Sequence, residues 1–198
     1  MRYTLGGFIM TAILNEIIIA CWVIFVGFWA ANALGTKAVA ERQSAASILT
    51  HRAPLTVGGL LLWYPKLPDP LNLALTPRTD AFRAVAVVVC VFGLIVAIWS
   101  RRTLAGNWSS TVTFKKGHEL VEAGPYRFAR HPIYTGILLM CLGSAIAVGQ
   151  LRSWLGFFLL CAGFWIKLRQ EESLLLRHFP GEYPAYRTRV KALVPFLI

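Results

Sequence analysis

Long apolar runs separated by short polar segments set the pattern of this chain of 198 residues. The first run covers Ile9 to Leu34, with Asn15 and Glu16 near its beginning. It is too long for a signal-peptide core and no small-residue cleavage site follows it directly, so it reads as an uncleaved first span. A second run, Ala53 to Tyr64, is stopped by Pro65, Pro68 and Pro70. A crossing helix takes about 20 apolar residues, so this run spans only if its helix starts back near Ala45, which puts His51 and Arg52 at an interface. The third run, Ala81 to Ser100, predicts a span. The fourth, Ile133 to Val148, and the fifth, Trp154 to Ile166, are joined by a short polar link around Gln150 to Ser153 and predict a helical hairpin. The fold expected from this pattern is all-α, a polytopic membrane protein with about five transmembrane helices.

Composition agrees with that pattern. Hydrophobic residues make up 57% of the chain and charged residues 15%, against roughly 45–50% and about 25% for a soluble domain. These fractions exclude a disordered chain, a collagen-like chain and a disulfide-stapled module. The net charge of +11 would fit a nucleic-acid partner on a soluble chain, but its placement decides otherwise. With five spans and the N-terminus outside, the outside segments hold only Arg2, Lys66, Arg78, Arg83 and Arg152. The other basic residues all fall inside, as the positive-inside rule requires. No nucleic-acid partner is expected. The four cysteines, Cys21, Cys90, Cys141 and Cys161, sit inside apolar runs without C-x-x-C spacing. They read as small buried hydrophobes, and no metal is expected.

Polar chemistry is concentrated in an inside loop, residues 101–131, and an inside tail, residues 167–198, which flank the hairpin. The loop carries His118, Tyr126, Arg130 and His131 just before Pro132. Proline suits the first turn of a helix, so His131 is placed at the electropositive N-terminus of the fourth span. An electron-rich ligand group binds well at such an end. The alternative is that Arg130 and His131 are interfacial anchors and that Tyr126 and Tyr134 belong to an aromatic belt. The tail carries an adjacent pair, Glu171 and Glu172, in a chain with nine acids. On a helix the two point about 100° apart, so one can face the interior and the other solvent. Their role is either a salt bridge between loop and tail or a carboxylate that holds ribose hydroxyls or a cation. The sequence has no G-x-G-x-x-G, Walker loop, H-E-x-x-H or G-x-S-x-G.

Read in order, Gly106-Asn107-Trp108-Ser109, Gly117-His118-Glu119-Leu120-Val121, Gly124-Pro125-Tyr126, Arg130-His131-Pro132-Ile133-Tyr134-Thr135-Gly136, Glu171-Glu172-Ser173-Leu174 and Glu182-Tyr183-Pro184-Ala185-Tyr186 resemble the isoprenylcysteine carboxyl methyltransferase family of membrane methyltransferases, to which phospholipid N-methyltransferases are related. The resemblance covers Gly106 to Leu197 and implies S-adenosyl-L-methionine as cofactor, bound without a Rossmann domain at the cytoplasmic end of the C-terminal hairpin. On this resemblance, His118, Glu119, Leu120 and Val121 contact the cofactor, Tyr126 lines its pocket, His131, Pro132, Ile133 and Tyr134 meet it at the helix start, and Glu171 grips it. The basic residue that faces the acceptor is Lys167, where an arginine is common, with Arg169 nearby. Residues 1–100 then supply three N-terminal spans and residues 101–198 the catalytic part.

The chemistry separates the acceptors. Methyl transfer from a sulfonium is an in-line displacement that needs alignment and exclusion of water. A carboxylate acceptor is already ionised and needs a cation to receive it, whereas an ammonium acceptor needs a base. His118, His131 and Glu171 are the candidate bases and all three are assigned to the cofactor, which favours O-methylation of a prenylated cysteine or a similar lipophilic carboxylate entering from the bilayer. The alternatives are a phospholipid N-methyltransferase and, in another class, a non-catalytic scaffold or small transporter. The expected place is an integral membrane protein with a cytoplasmic C-terminus, in a bacterial or archaeal inner membrane rather than endoplasmic reticulum.

Overall fold

A computed structural model describes residues 5–32, 39–42, 45–65, 67–77, 79–105, 113–115 and 120–195. Its elements are α1 (Leu5–Ala31), β1 (Val39–Arg42), α2 (Ala45–Trp63), α3 (Asp80–Leu104), β2 (Thr113–Lys115), α4 (Pro132–Val148), α5 (Leu151–His178) and α6 (Glu182–Arg189). Each apolar run coincides with a helix over most of its length: the first run continues past the end of α1 at Ala31, the second ends one residue past α2, and the other three lie wholly within α3, α4 and α5. α2 begins at Ala45, where a spanning reading requires it, and continues through Pro54. α5 does not stop with its apolar run at Ile166 but carries the helix on through Glu171 and Glu172 to His178. The helical architecture expected from the sequence is present, with one short addition. β1 and β2 form an antiparallel pair, with Val39 opposite Lys115 and Arg42 opposite Thr113. Strands this short leave no readable alternation in the sequence.

Among the described residues, three helices are long and apolar enough to cross a membrane: Met10–Ala31 within α1, α3 and α5. α4 is equally apolar in character but has 17 residues. α2 has 19 and includes His51 and Arg52.

Two helix pairs form the frame, α3 with α4 and α2 with α5. Both depend on backbone-to-backbone approach at glycine, the usual device where lipid removes the hydrophobic drive between helices. A Cβ on Gly93 of α3 would lie 2.6 Å from the carbonyl oxygen of Gly136 on α4, and one on Gly136 would lie 2.6 Å from that of Gly93. In the second pair, a Cβ on Gly156 of α5 would lie 2.6 Å from the Gly58 oxygen on α2. α1 attaches differently. Ile18 and Cys21 enter a core with Ala86, Cys90, Leu94 and Met140, while Trp22, Phe25 and Trp29 contact one another along its side. Thr11 of α1 hydrogen-bonds Asp80 at the start of α3, and Asn32 receives Arg101 from its end, so the two helices run parallel. Cys21, Cys90 and Cys141 are buried free thiols and Cys161 is half-buried.

The two ends of the α4–α5 pair are closed by different segments. At one end α4 stops at Gly149, whose φ of 65° is the left-handed cap that favours glycine. Gln150 and Ser153 then cap α5 reciprocally, and the proline-rich segment folds onto this turn, with Leu75 and Thr76 N–H groups on the Gly149 oxygen. At the other end the tail returns beside the start of α4. Arg130 N–H donates to Lys191 O at 2.8 Å and His131 N–H to Ala192 O at 2.9 Å, while Thr135 Oγ1 donates to Leu193 O at 2.7 Å. The loop and tail that hold the polar residues therefore meet.

Candidate functional site

His131 is the N-cap residue of α4 and Pro132 occupies its first turn, but the imidazole does not cap the helix. It turns toward α5 and sits between the two acids. His131 Nδ1 is 3.6 Å from Glu171 Oε2, and Nε2 is 3.4 Å from Glu172 Oε1. The ring lies parallel to that of Tyr134, one turn on, with centroids 5.6 Å apart. Tyr134 packs on Phe164 of α5 at 5.0 Å, and its hydroxyl donates to Glu171 Oε1. Lys167, one turn before Glu171, holds its ammonium 5.2 Å from the Tyr134 ring centre, within cation–π range.

The two glutamates divide the roles that the sequence left open. Glu172 is the salt bridge between loop and helix. It is buried at 3% exposure and receives Arg130 Nε at 2.8 Å and Nη2 at 2.5 Å. Arg130 also donates to the Val190 oxygen, so one guanidinium ties loop, α5 and tail together. Glu171 keeps 22% of its side chain exposed and is the more accessible of the two carboxylates. Around them, burial pushes the phenols of Tyr126, Tyr183 and Tyr186 well above their ordinary value, with Glu171, Glu172 and Glu122 adding to the effect in that order. All three stay protonated donors. Tyr186 uses its hydroxyl on Tyr126 O at 2.6 Å. Among the described residues, the buried Tyr183 hydroxyl and His131 Nε2 make no well-formed hydrogen bond, Nε2 standing only at ion-pair distance from Glu172.

Of the residues singled out in the sequence, His131, Tyr134, Glu171 and Lys167 come together in one cluster. Tyr126 is buried on the 3-10 turn Gly124–Arg127, near enough to feel the Glu171 charge. Pro132 and Ile133 are buried, and Ile133 packs with Leu168 in the adjacent core. Leu120 and Val121 are half-buried ahead of the turn, and Arg169 is exposed on α5. His118 and Glu119 lie outside the described residues.

Sequence reasoning missed His51. It is buried at 4% exposure on α2, with Nδ1 2.8 Å from Gln170 Oε1. Gln170 Nε2 donates to Ser47 O at 3.1 Å and Thr50 Oγ1 at 2.9 Å. A carbonyl only accepts, so the amide nitrogen must face Ser47 and Oε1 must face the imidazole. Nδ1 therefore carries the proton and Nε2 is the basic nitrogen. Gln170 adjoins Glu171, which brings His51 beside the cluster.

The sequence model of the phospholipid methyltransferase family matches residues 81–182, just over half of the chain. The chain belongs to the phospholipid methyltransferase family. The matched residues of this family member include α3, α4 and α5, and so Arg130, His131, Tyr134, Lys167, Glu171 and Glu172. The chain is also similar to curated enzymes named protein-S-isoprenylcysteine O-methyltransferase. The Xenopus laevis protein is 24% identical over 153 residues, 76% of this chain and 53% of that protein. The Saccharomyces cerevisiae protein is 27% identical over 133 residues, 66% and 56%. The Schizosaccharomyces pombe protein reaches 34% over 83 residues, 41% and 35%. The chain thus spans about half the length of the curated relatives it matches first.

Proposed function

We propose that this family member is an integral membrane methyltransferase that uses S-adenosyl-L-methionine to methylate a lipophilic acceptor, most simply the carboxylate of a prenylated cysteine. The observation that carries the reading is the convergence of His131, Tyr134 and Glu171 at the start of α4, inside the family-matched residues. Five helices cross the bilayer, with the short α4 and α2 completed by the neighbours they pack against. The N-terminus is outside and the site lies at the cytoplasmic end of the α4–α5 pair.

The residues fit the cofactor. It presents cationic and hydrogen-bonding groups, and the cluster offers one part-exposed carboxylate and, among the described residues, two buried polar atoms without a well-formed hydrogen bond, His131 Nε2 and Tyr183 OH. When bound, the cofactor supplies an electrophilic methyl on a sulfonium. Glu171 holds it through charge-assisted hydrogen bonds, which are about twice as strong as neutral ones. Tyr134 fixes the orientation of Glu171, while Arg130 and Glu172 hold the loop and tail closed over the site. Tyr126 lines the pocket. Pro132 and Ile133 set the start of α4, and His118, Glu119, Leu120 and Val121 belong to the same binding segment. Lys167, with Arg169 nearby, draws in an ionised acceptor. An apolar groove of about 580 Å³ supports a lipophilic acceptor. It runs along Thr135, Leu138, Leu139 and Leu142 of α4 and Trp165 of α5, beginning one turn beyond His131.

Two observations favour a second reading, methylation of a phospholipid amine. One is the description of the matched family. The other is His51, a basic nitrogen beside the cluster that removes the shortage of a base noted above.

The test is radiolabel transfer by the purified chain from methyl-labelled S-adenosylmethionine. A base-labile ester on farnesyl-cysteine establishes the first reading, and base-stable label on phosphatidylethanolamine the second. Absence of saturable S-adenosylhomocysteine binding in calorimetric titration sinks both and leaves the non-catalytic alternative.

A further inference from the structure

Beside the Glu171 cluster, α2 and α5 are joined through Gln170. A Cβ on Gly163 of α5 would lie 2.7 Å from the Leu55 side chain of α2. One turn further along the pair, His51 stands level with Lys167 and Gln170. Leu55 also packs against the core that holds Tyr134 and Phe164, so His51 lies at the height of the cluster. The Gln170 amide has one orientation. Thr50 Oγ1 donates its proton to Ser47 O at 2.7 Å, so toward Gln170 both Ser47 O and Thr50 Oγ1 act as acceptors. They take the two protons of Gln170 Nε2, and Oε1 is left to face His51 Nδ1. Among the described residues, His51 Nε2 makes no hydrogen bond and is not sealed from its surroundings. The charged groups that act on the ring are Lys167 of α5 and Arg52 of α2 itself. α1 and α4, which also touch α2, carry between them only Glu16, far from this end of α1.

We infer that Gln170 is a positioning residue: it holds His51 in the Nδ1–H form, so that His51 Nε2 takes the proton of an ammonium acceptor during methylation. The inference rests on the second reading of the proposed function, methylation of a phospholipid amine. The ammonium gives its proton to Nε2, and the nitrogen lone pair so released forms the new N–C bond to the methyl group. The electron pair of the broken C–S bond stays on sulfur, and the imidazolium returns its proton to water. The acceptor keeps its positive charge as a methylated ammonium, and one proton is released per methyl transferred. A neutral imidazole suits this place because it offers a lone pair without burying an anion. The arrangement also joins the two halves of the reaction. Gln170 adjoins Glu171, so the helix that carries the cofactor carboxylate sets the tautomer of the base on α2.

The test is the pH profile of methyl transfer to phosphatidylethanolamine by the purified full chain, with S-adenosylhomocysteine titration alongside to report an intact fold. His51→Asn keeps a donor for Gln170 Oε1. It is expected to lower kcat about 100-fold, the scale of one general base, and to leave S-adenosylhomocysteine affinity unchanged. Its residual rate should climb with pH as solvent takes over the deprotonation. Gln170→Glu sets a carboxylate against Nδ1 and favours the imidazolium, so the acidic limb of the profile is expected to move up by about 1–3 pH units. A merely structural glutamine would lower the rate without moving that limb. Gln170→Met removes the amide without adding charge and is expected to lower kcat with KM and the limb unmoved. Label on the phospholipid with an unshifted limb in Gln170→Glu, or an undiminished rate in His51→Asn, overturns the inference and leaves the second reading standing. Label on farnesyl-cysteine alone overturns the inference together with that reading.

Discussion

Arg130 and Arg152 stand at opposite ends of the same helix pair, each nearly buried, and they differ in what receives them. Arg130 meets a carboxylate, Glu172, and a second carboxylate lies one residue away. Arg152 meets carbonyl oxygens of α2 and the amide oxygen of Gln150. The first end has its cation neutralised and a negative group, Glu171, left open, so it suits a positively charged ligand. At the second end the partners named are neutral oxygens, the Leu61 and Leu62 carbonyls and the Gln150 amide. Each arginine also stitches segments far apart in the chain, the loop and tail to α5 in one case and α2 to α5 in the other. The same residue type thus serves similar mechanical roles through different partners, a carboxylate at one end and carbonyl oxygens at the other.

Removing the partner at the first end is expected to have the largest effect. Glu172→Ala leaves the Arg130 guanidinium buried beside no carboxylate of its own, and breaking a buried pair from one side costs about 3–5 kcal/mol. Thermal unfolding in detergent checks this. The double substitution Arg130→Met with Glu172→Leu should recover much of the loss, because the uncompensated charge is then gone. A double variant as unstable as Glu172→Ala would show that the backbone contacts of Arg130, not its charge, hold the end together.

Glu171 is expected to separate from Glu172 in kind. Its side chain is part-exposed and its hydrogen-bonding partner in the protein is the Tyr134 hydroxyl. Glu171→Gln keeps an acceptor for that hydroxyl and removes the charge, so stability should barely move. Hydrogen bonds to a charged group contribute about 1.5–3 kcal/mol, so affinity for S-adenosylhomocysteine should fall by roughly 10- to 100-fold. Calorimetric titration measures it. Unchanged affinity would transfer the ligand-gripping role away from Glu171 and erase the contrast between the two acids.

Much of this division was legible in the residues, and the limits have physical causes. α1, α3 and α4 follow from runs whose apolarity alone requires burial. The extension of α5 past Ile166 does not, because that segment is polar and its helix is held by contacts across the loop, Arg130 to Glu172 above all. His131, Tyr134 and Glu171 were identified through the ordered motifs. Which of the two glutamates is buried was not, since a 100° turn states that they differ without stating which faces inward. His51 and Gln170 are 119 residues apart, and nothing in either segment points to the other until α2 packs on α5 through Gly58 and Gly156. Arg152 counted as an outside-loop charge in the sequence, yet it is buried, because the carbonyls at the end of α2 accept it.

The smallest expected effect tests whether the Arg152 end is built as strictly as the Arg130 end. Gly149 closes α4 at φ 65°, and a Cβ there would sit 3.2 Å from both the Cβ and the carbonyl oxygen of Thr76. Gly149→Ala imposes left-handed backbone on an alanine, costing about 1–2 kcal/mol, and adds crowding against a segment hydrogen-bonded to this turn. Gly27→Ala is the opposite case. It lies within α1 with open space around it, so replacing a mid-helix glycine should stabilise by up to about 1 kcal/mol. The two identical substitutions should therefore shift the unfolding midpoint in opposite directions. If Gly149→Ala were also stabilising, the turn would tolerate rearrangement, Thr76 and Gln150 would not be fixed by it, and the Arg152 end would be an adjustable surface rather than a built one.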